Sequence, residues 1–431
     1  MNATTPAASQ PTARGAWAWI PTLYFAQGIP YVVVMTMSVI MYKRLGVSNT
    51  AIALYTSWLY LPWVIKPLWS PLVELFGTKR HWIVLMQLFV GAALACVALT
   101  IPGPAFFRVT LGIFWLLAFA SATHDIAADG FYMLALDKHD QAWFVGVRST
   151  FYRLSMIAGQ GLLVMLAGAL ETRLGDVPLA WAITFAALAG LFLTFFAYHF
   201  LILPKPAADA APLPSARRNP LLGFFRIFGA FFQKPDLARS LAFLLLYRFA
   251  ESQLVKIASL FLLDAPAKGG LGLSTGAVGF TYGTVGVIAL TLGGLLGGFV
   301  AARQGLKSWL PAMVCAINLP NLLYLYLAYA QPASLVVINA CVALEQFGYG
   351  FGFAAYMIYM LYLAQGEHQT AHYALCTGFM ALGMMIPGMW AGWLQEFLGY
   401  RHFFLWIMLC TIPGFVATAL IRPDPSFGRK A

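Results

Sequence analysis

Along the 431-residue chain, apolar residues come in runs of about twenty, the length that crosses a hydrocarbon core, and short polar breaks separate them. The runs begin near Trp17, Thr50, His81, Phe106, Phe144, Leu179, Leu241, Gly276, Leu310, Ser334, His372 and His402. This pattern predicts an all-α membrane protein with twelve transmembrane helices. The longest polar interruption, Leu203 to Pro235, carries Pro204, Pro206, Pro212 and Pro214 followed by Arg217 and Arg218, and it divides the runs into two sets of six. The expected organisation is a cytoplasmic tail over 1–16, a six-helix bundle over 17–202, a cytoplasmic linker over 203–237, a second six-helix bundle over 238–421 and a tail over 422–431. Inside the linker, LLGFFRIFGAFF from Leu221 to Phe232 is apolar, too short to span and flanked by basic residues, which predicts an interfacial helix.

Composition strengthens the membrane reading. Hydrophobic residues make up 61% and charged residues 10% of the chain, against roughly a quarter charged in soluble domains. The net charge of +11 does not point to a nucleic-acid partner, because Lys and Arg collect at span ends instead of forming a solvated basic stripe. With both termini inside, cytoplasmic segments receive 15 of these cations, and the opposite side receives only Lys43, Arg44, Arg108, Arg173, Lys268 and Arg401. That asymmetry predicts a multi-pass inner-membrane protein with cytoplasmic termini. The first fifteen residues lack the basic start and apolar core of a signal peptide. The cysteines, Cys96, Cys315, Cys341, Cys376 and Cys410, fall in apolar runs without ligand-like spacing, so inert buried thiols are expected, with no metal and no cofactor.

The halves echo each other. Ser70, Glu74, Gly77, Lys79 and Arg80 follow the second run, and Gly298, Ala302, Arg303, Gly305 and Lys307 follow the eighth. HDQAWFVGVRSTFYRLSMIAG from His139 aligns without gaps on HQTAHYALCTGFMALGMMIPG from His368. Internal duplication of this kind builds many transporters, with the solute handled near the middle of the membrane.

An ionisable group within a span costs about 2.5 to 3.5 kcal/mol on insertion scales, so each needs a partner, a wet cavity or a task. The fourth run holds His124, Asp125 and Asp129. The two carboxylates share one helical face, and His124 points about 100 degrees away. Proton coupling through them and structural pairing with Arg148 or Arg153 of the fifth run are both open. Arg148 and Tyr152 share a face and Arg153 lies on another, so one arginine is expected to meet an anionic group of a solute and the other to pair structurally. In the seventh run, Arg248 and Glu251 stand three apart and are expected to neutralise each other. That leaves Lys256 for a solute, and Lys66 is expected to snorkel to the interface. The tenth run offers Glu345 as a further protonation site or a helix partner, with Gln346 beside it. Gly348, Gly350 and Gly352 follow, and in an apolar run with no preceding strand they read as close helix packing, not a phosphate loop. Gln27, Tyr31 and Trp58 in the first two runs are candidates for a solute-contacting wall, against the plainer role of interface belts and packing.

The loop after the second run resembles the signature of the major facilitator superfamily (MFS), with Glu74 in the acidic, Gly77 in the glycine, and Lys79 and Arg80 in the basic positions. Ser70 and Thr78 depart from it. In that family the loop is a conformational latch. KPLWSPLVE from Lys66, SATHDIAADG from Ser121, FYRLSMIAGQG from Phe151 and ALEQFGYGFGFAAY from Ala343 further resemble the AmpG-type muropeptide permeases. The resemblance implies the MFS fold and alternating access. It also implies proton symport of cell-wall-derived anhydro-muropeptides or related amino-sugar compounds, with Asp125 and Asp129 in coupling and Arg148 and Arg153 in the cavity. The expected partners are a small-molecule substrate (amino sugar, muropeptide or oligosaccharide), protons and the lipid bilayer, in a monomer. A permease for an oligosaccharide, a siderophore or an acetyl-CoA-like solute, or an exporter, stands as the alternative. An enzyme is not expected, since no nucleophile motif or ligand set accompanies His124 and Asp125.

Overall fold

The computed structural model describes residues 13–206, 209, 226, 228–366, 368–424 and 427. Most of the expected N-terminal tail, most of the linker between 207 and 227, and much of the C-terminal tail lie outside the described residues. Among the described residues the secondary structure is helical throughout, with no strand. Nine uninterrupted helices among them are long and apolar enough to cross a membrane. Eight are single crossings: α1 (Gly15–Arg44), α3 (Lys79–Thr100), α4 (Phe106–Ala135), α5 (His139–Leu174), α6 (Val177–Ile202), α8 (Thr275–Gln304), α9 (Leu306–Ala330) and α10 (Leu335–Ala364). The ninth, Ala371–Leu420, holds two crossings, α11 and α12, joined where Gly399 takes a left-handed φ of 72°. Two further crossings are interrupted: α2 (Asn49–Trp58 and Leu61–Leu75) and α7 (Leu237–Leu246 and Phe249–Leu263). The total is the twelve that the apolar runs predict.

Local chemistry sets the ends. Ser48, Thr78 and Ser274 accept hydrogen bonds from the backbone N–H groups of Ala51, His81 and Ala277, capping α2, α3 and α8. These caps explain why the three helices begin one or two residues before the apolar runs do. The break in α2 falls just before Pro62, whose ring cannot share space with the carbonyl one turn back.

Packing gathers the chain into two compact units, Met1–Tyr31 with Leu68–Ser155 and Ala182–Arg218, and Val32–Pro67 with Met156–Trp181 and Asn219–Ala431. The first unit is centred on Trp19, Leu23, Tyr24, Ile83, Phe131 and Phe144, all fully or almost fully buried between α1, α3, α4 and α5. Its interior also contains a polar chain. Thr22 Oγ1 lies 2.9 Å from His199 Nε2, His199 Nδ1 lies 2.9 Å from Gln87 Oε1, and Gln87 Nε2 lies 3.1 Å from His124 Nε2. One amide, donating at one end and accepting at the other, thus fixes both imidazole tautomers and ties α3 to α4 and α6.

In the second unit, α10 is clamped between α8 and α9. A Cβ at Gly350 would fall 2.0 Å from the Leu290 carbonyl oxygen of α8, and one at Gly348 would fall 2.2 Å from that of Ala316 in α9, so the glycines are packing surfaces. Phe231 is fully buried against Phe243, Phe379 and His372, so the described residues 228–232 of the expected interfacial helix dock on this unit's core.

Candidate functional site

Helices α1, α4 and α5 of the first unit assemble the polar residues singled out in the sequence. Tyr24 donates its hydroxyl to Asp129 Oδ1 at 3.2 Å, and Arg148 lies 3.4 Å from the same oxygen while donating to the Tyr24 hydroxyl at 3.2 Å. The guanidinium stacks 4.8 Å above the Tyr24 ring and 5.0 Å from that of Tyr132. The ion pair is not sealed: 42% of the Asp129 side chain and 31% of that of Arg148 remain accessible. Asp125, Asp129, Tyr31 and Arg153 all lie within electrostatic range of the Tyr152 hydroxyl, so the fourth and fifth helices bring these candidates to one region. Gln27, on the same unit, is buried with its Oε1 unpaired. His124 belongs instead to the buried chain with Gln87, on a different face from the carboxylates.

The loop expected to act as a latch is built around α3. Gly77 takes a φ of 73°, Thr78 caps the helix, and the Asp209 carboxylate accepts from the backbone N–H groups of Lys79 and Arg80 at 2.7 and 3.0 Å. Arg80 Nε donates to the Leu203 carbonyl at 3.1 Å, closing the end of α6. A Cβ at Gly130 would lie 2.4 Å from Lys79 Cε, so the glycine beside Asp129 makes room for that stem. The Glu74 side chain lies outside the described residues.

In the second unit, Arg248, Glu251, Lys256, Glu345 and Gln346 are all buried. Arg248 and Glu251, expected to neutralise each other, lie within electrostatic range but make no direct ion pair. Arg248 sits in the break of α7, off the helical path that would align it with Glu251, and its guanidinium bonds the Tyr349 hydroxyl and stacks 4.8 Å from Phe353. Glu345 accepts from Gln346 at 3.0 Å, and Glu251 Oε2 is without a hydrogen-bond partner. Lys256 donates to Thr56 Oγ1 at 3.1 Å. Trp58 is 38% exposed on α2.

Sequence reasoning missed a polar clasp where the α1–α2 turn meets α7, α11 and α12. Asp264, nearly buried, accepts from Lys43 at 2.7 Å, from the Tyr400 hydroxyl at 2.6 Å and from Asn49 at 3.3 Å, and Asn49 also donates to Gln395 at 2.6 Å. Beside it, Glu171 of α5 receives Arg44 at 3.0 Å, Trp181 Nε1 at 2.9 Å and Thr275 Oγ1 at 2.7 Å. A cavity of about 650 Å³ opens among Lys43, Lys268, Asp264 and Glu396. The signal was present: Lys43 and Arg44 stand on the cation-poor side, where a pair of adjacent cations calls for carboxylate partners. Below the clasp, α5 and α8 cross so tightly that a Cβ at Gly283 would fall 1.9 Å from the Gln160 carbonyl oxygen, and on α11 a Cβ at Gly392 would fall 2.1 Å from that of Asn49. Helices 2 and 11, and 8 and 5, are equivalent pairs under the duplication read from the sequence.

The chain as a whole is similar to known proteins. The family model described as Major Facilitator Superfamily matches residues 22–387. The chain is 25% identical over 372 residues to the anhydromuropeptide permease of Escherichia coli (strain K12), covering 85% of this chain and 72% of that protein. It is 25% identical over 407 residues to a protein of Rickettsia conorii named as a transporter, AmpG 4, covering 91% of this chain and 92% of the other. Among solved structures, a mutant of the nucleoside transporter NupG superposes with a TM-score of 0.71 at 15% identity, covering 94% of this chain and 99% of that one. An inward-facing, occupied bacterial homologue of the human lysosomal transporter Spinster gives 0.70 at 15% identity, covering 96% and 97%.

Proposed function

The chain belongs to the Major Facilitator Superfamily, and within it we propose a proton-coupled symporter that imports cell-wall-derived anhydro-muropeptides or related amino-sugar compounds across the inner membrane by alternating access. It is a multi-pass membrane transporter and not an enzyme. The likeness to the anhydromuropeptide permease supports the solute class. The excess of Lys and Arg in alternate loops supports cytoplasmic termini, with bundles over 17–202 and 238–421 joined by a cytoplasmic linker. In that orientation the clasp at Asp264 and Glu171 faces outward. The protein works as a monomer, since each chain carries both bundles.

The observation that carries the coupling proposal is the half-accessible Asp129, held by Tyr24 and Arg148. A carboxylate between a guanidinium and an open face can exchange its ion pair for a proton as the surroundings change. Asp125, one turn earlier, shares the task, and Glu345 is a further proton site; Arg153, Tyr152, Gln27 and Tyr31 in the first unit, and Trp58 and Gln346 in the second, are the candidates for solute contact. The test is uptake of N-acetylglucosaminyl-anhydro-N-acetylmuramic acid into proteoliposomes under an imposed inward proton gradient. Asp129→Asn is expected to lose gradient-driven accumulation at least tenfold and to keep counterflow exchange. Wild-type uptake that ignores the gradient would remove the coupling.

A further inference from the structure

The second unit holds an ammonium group without an anion. Lys256 is 2% exposed, in the middle of α7. Its Nζ has one acceptor, Thr56 Oγ1 at 3.1 Å, and lies 5.2 Å from the centre of the Tyr60 ring. No ion pair to a carboxylate among the described residues reaches it. An ammonium offers three donors, so two are unused, and Thr56 itself already donates to the Ile52 carbonyl at 2.6 Å. Next to it, Ser57 Oγ is fully buried and without a hydrogen-bond partner. The Ser57 hydroxyl and the stem of Lys256 border Gly388 of α11: a Cβ there would fall 2.8 Å from Ser57 Oγ and 3.3 Å from Lys256 Cγ. A buried hydroxyl and the stem of a buried lysine thus flank one glycine where α2, α7 and α11 meet, with the lysine's nitrogen on the residue next to that hydroxyl.

From this we propose that Lys256 is the receptor for a carboxylate on the transported solute, with the Ser57 hydroxyl as its second donor. The inference rests on the transport reading and narrows the solute to one bearing an acidic group. Burial without a counter-ion disfavours the charged form of a lysine, and an anion that travels through the protein stabilises that charge only while it is bound. In the arrangement described here the ammonium is parked on Thr56 and Tyr60 of α2. A carboxylate from the solute replaces that contact. Because Thr56 lies about two helical turns along α2 from Asn49 of the clasp, loading the anion loosens α2 from α7 close to the clasped turn. Anion recognition and opening therefore share one lysine.

The experiment compares acid and neutral forms of the same solute. Purified full-length protein is titrated with N-acetylglucosaminyl-anhydro-N-acetylmuramic acid and with its methylamide, and then with further acid and amide pairs from hexuronic acids, dipeptides and siderophore-type hydroxy acids. A charge-assisted contact implies a preference of about tenfold to a hundredfold for the acid in the wild type. Lys256→Gln is expected to bring acid and amide to equal affinity by weakening the acid and sparing the amide, and Lys256→Arg to keep most of the preference, with thermal melting reporting that each variant is folded. Discrimination that survives in Lys256→Gln overturns the assignment, as does a wild type that distinguishes no acid from its amide anywhere in the panel. If the wild type ignores the muramyl pair but prefers another acid, and Lys256→Gln erases that preference, the anion receptor stands and the muropeptide reading falls.

Discussion

Replacing Asp264 by Asn tests whether the clasp at the α1–α2 turn holds that end of the second unit together. Asp264 takes three donors: Lys43 at 2.7 Å, Tyr400 at 2.6 Å and Asn49 at 3.3 Å. The pair is shielded, with 13% of the Lys43 side chain and 8% of that of Asp264 accessible, so salt screens it little. An asparagine oxygen still accepts from Tyr400, and Lys43 still donates to Asn49 Oδ1 at 2.7 Å. What is lost is the charge, and with it the stronger share of the Lys43 and Tyr400 bonds, about 2 to 3 kcal/mol. That corresponds to about a 30- to 150-fold shift toward states in which the turn is released. Hydrogen exchange measured by mass spectrometry reads this directly, as faster exchange by that factor in peptides covering 43–50, with peptides of α9 unchanged. Asp264→Ala, which strands the Lys43 ammonium, is expected to exceed Asn at about 3 to 5 kcal/mol, whereas the apolar double replacement of Lys43 and Asp264 by Met should lie closer to wild type. Unchanged exchange at 43–50 in both single variants would refute the reasoning, since it would mean that the clasp is held by the surrounding helix packing and not by its charges.

Two further outcomes follow from packing. Gly350→Ala drives a Cβ to within 2.0 Å of the Leu290 carbonyl oxygen and is expected to lower thermal stability by about 1 to 3 kcal/mol, whereas Gly298→Ala meets nothing within 4 Å and should raise it by up to about 1 kcal/mol through helix propensity. Equal melting shifts for the two would contradict the clamped position of α10. Gln87→Leu leaves His124 and His199 without their shared partner in a buried interior, at about 1 to 3 kcal/mol for each orphaned group. A melting temperature equal to that of the wild type would show that the chain through Gln87 is dispensable.

The helices and the candidate cluster of the first unit were legible because both follow from local rules. Asp125 and Asp129 share a face by helical periodicity, and a charge in a span must find its complement within reach, so an arginine on the adjacent helix was the natural partner of Asp129. The glycines of α10 read correctly as packing surfaces for the same reason: in an apolar run, small residues have no other work. Arg248 and Glu251 attract each other without direct contact, because spacing predicts contact only along an unbroken helix and α7 breaks at Arg248.

What the sequence determined by itself is what depends on neighbours along the chain: twelve crossings, the echo between the two halves, and which few groups bear charge inside the membrane. Which of those groups meet was left to tertiary structure. Asp264 and Lys43 are separated by more than two hundred positions, and Thr22, Gln87, His124 and His199 come from four helices, so their contacts exist only once the helices have crossed at particular angles. In the second unit the helix backbones approach closely at Gly283 and Gly392, and elsewhere the crossings rest on the summed packing of many apolar side chains, each of which is indifferent to its partner. Periodicity along a chain carries a helix's face, but the neighbour that face will meet is written nowhere within it.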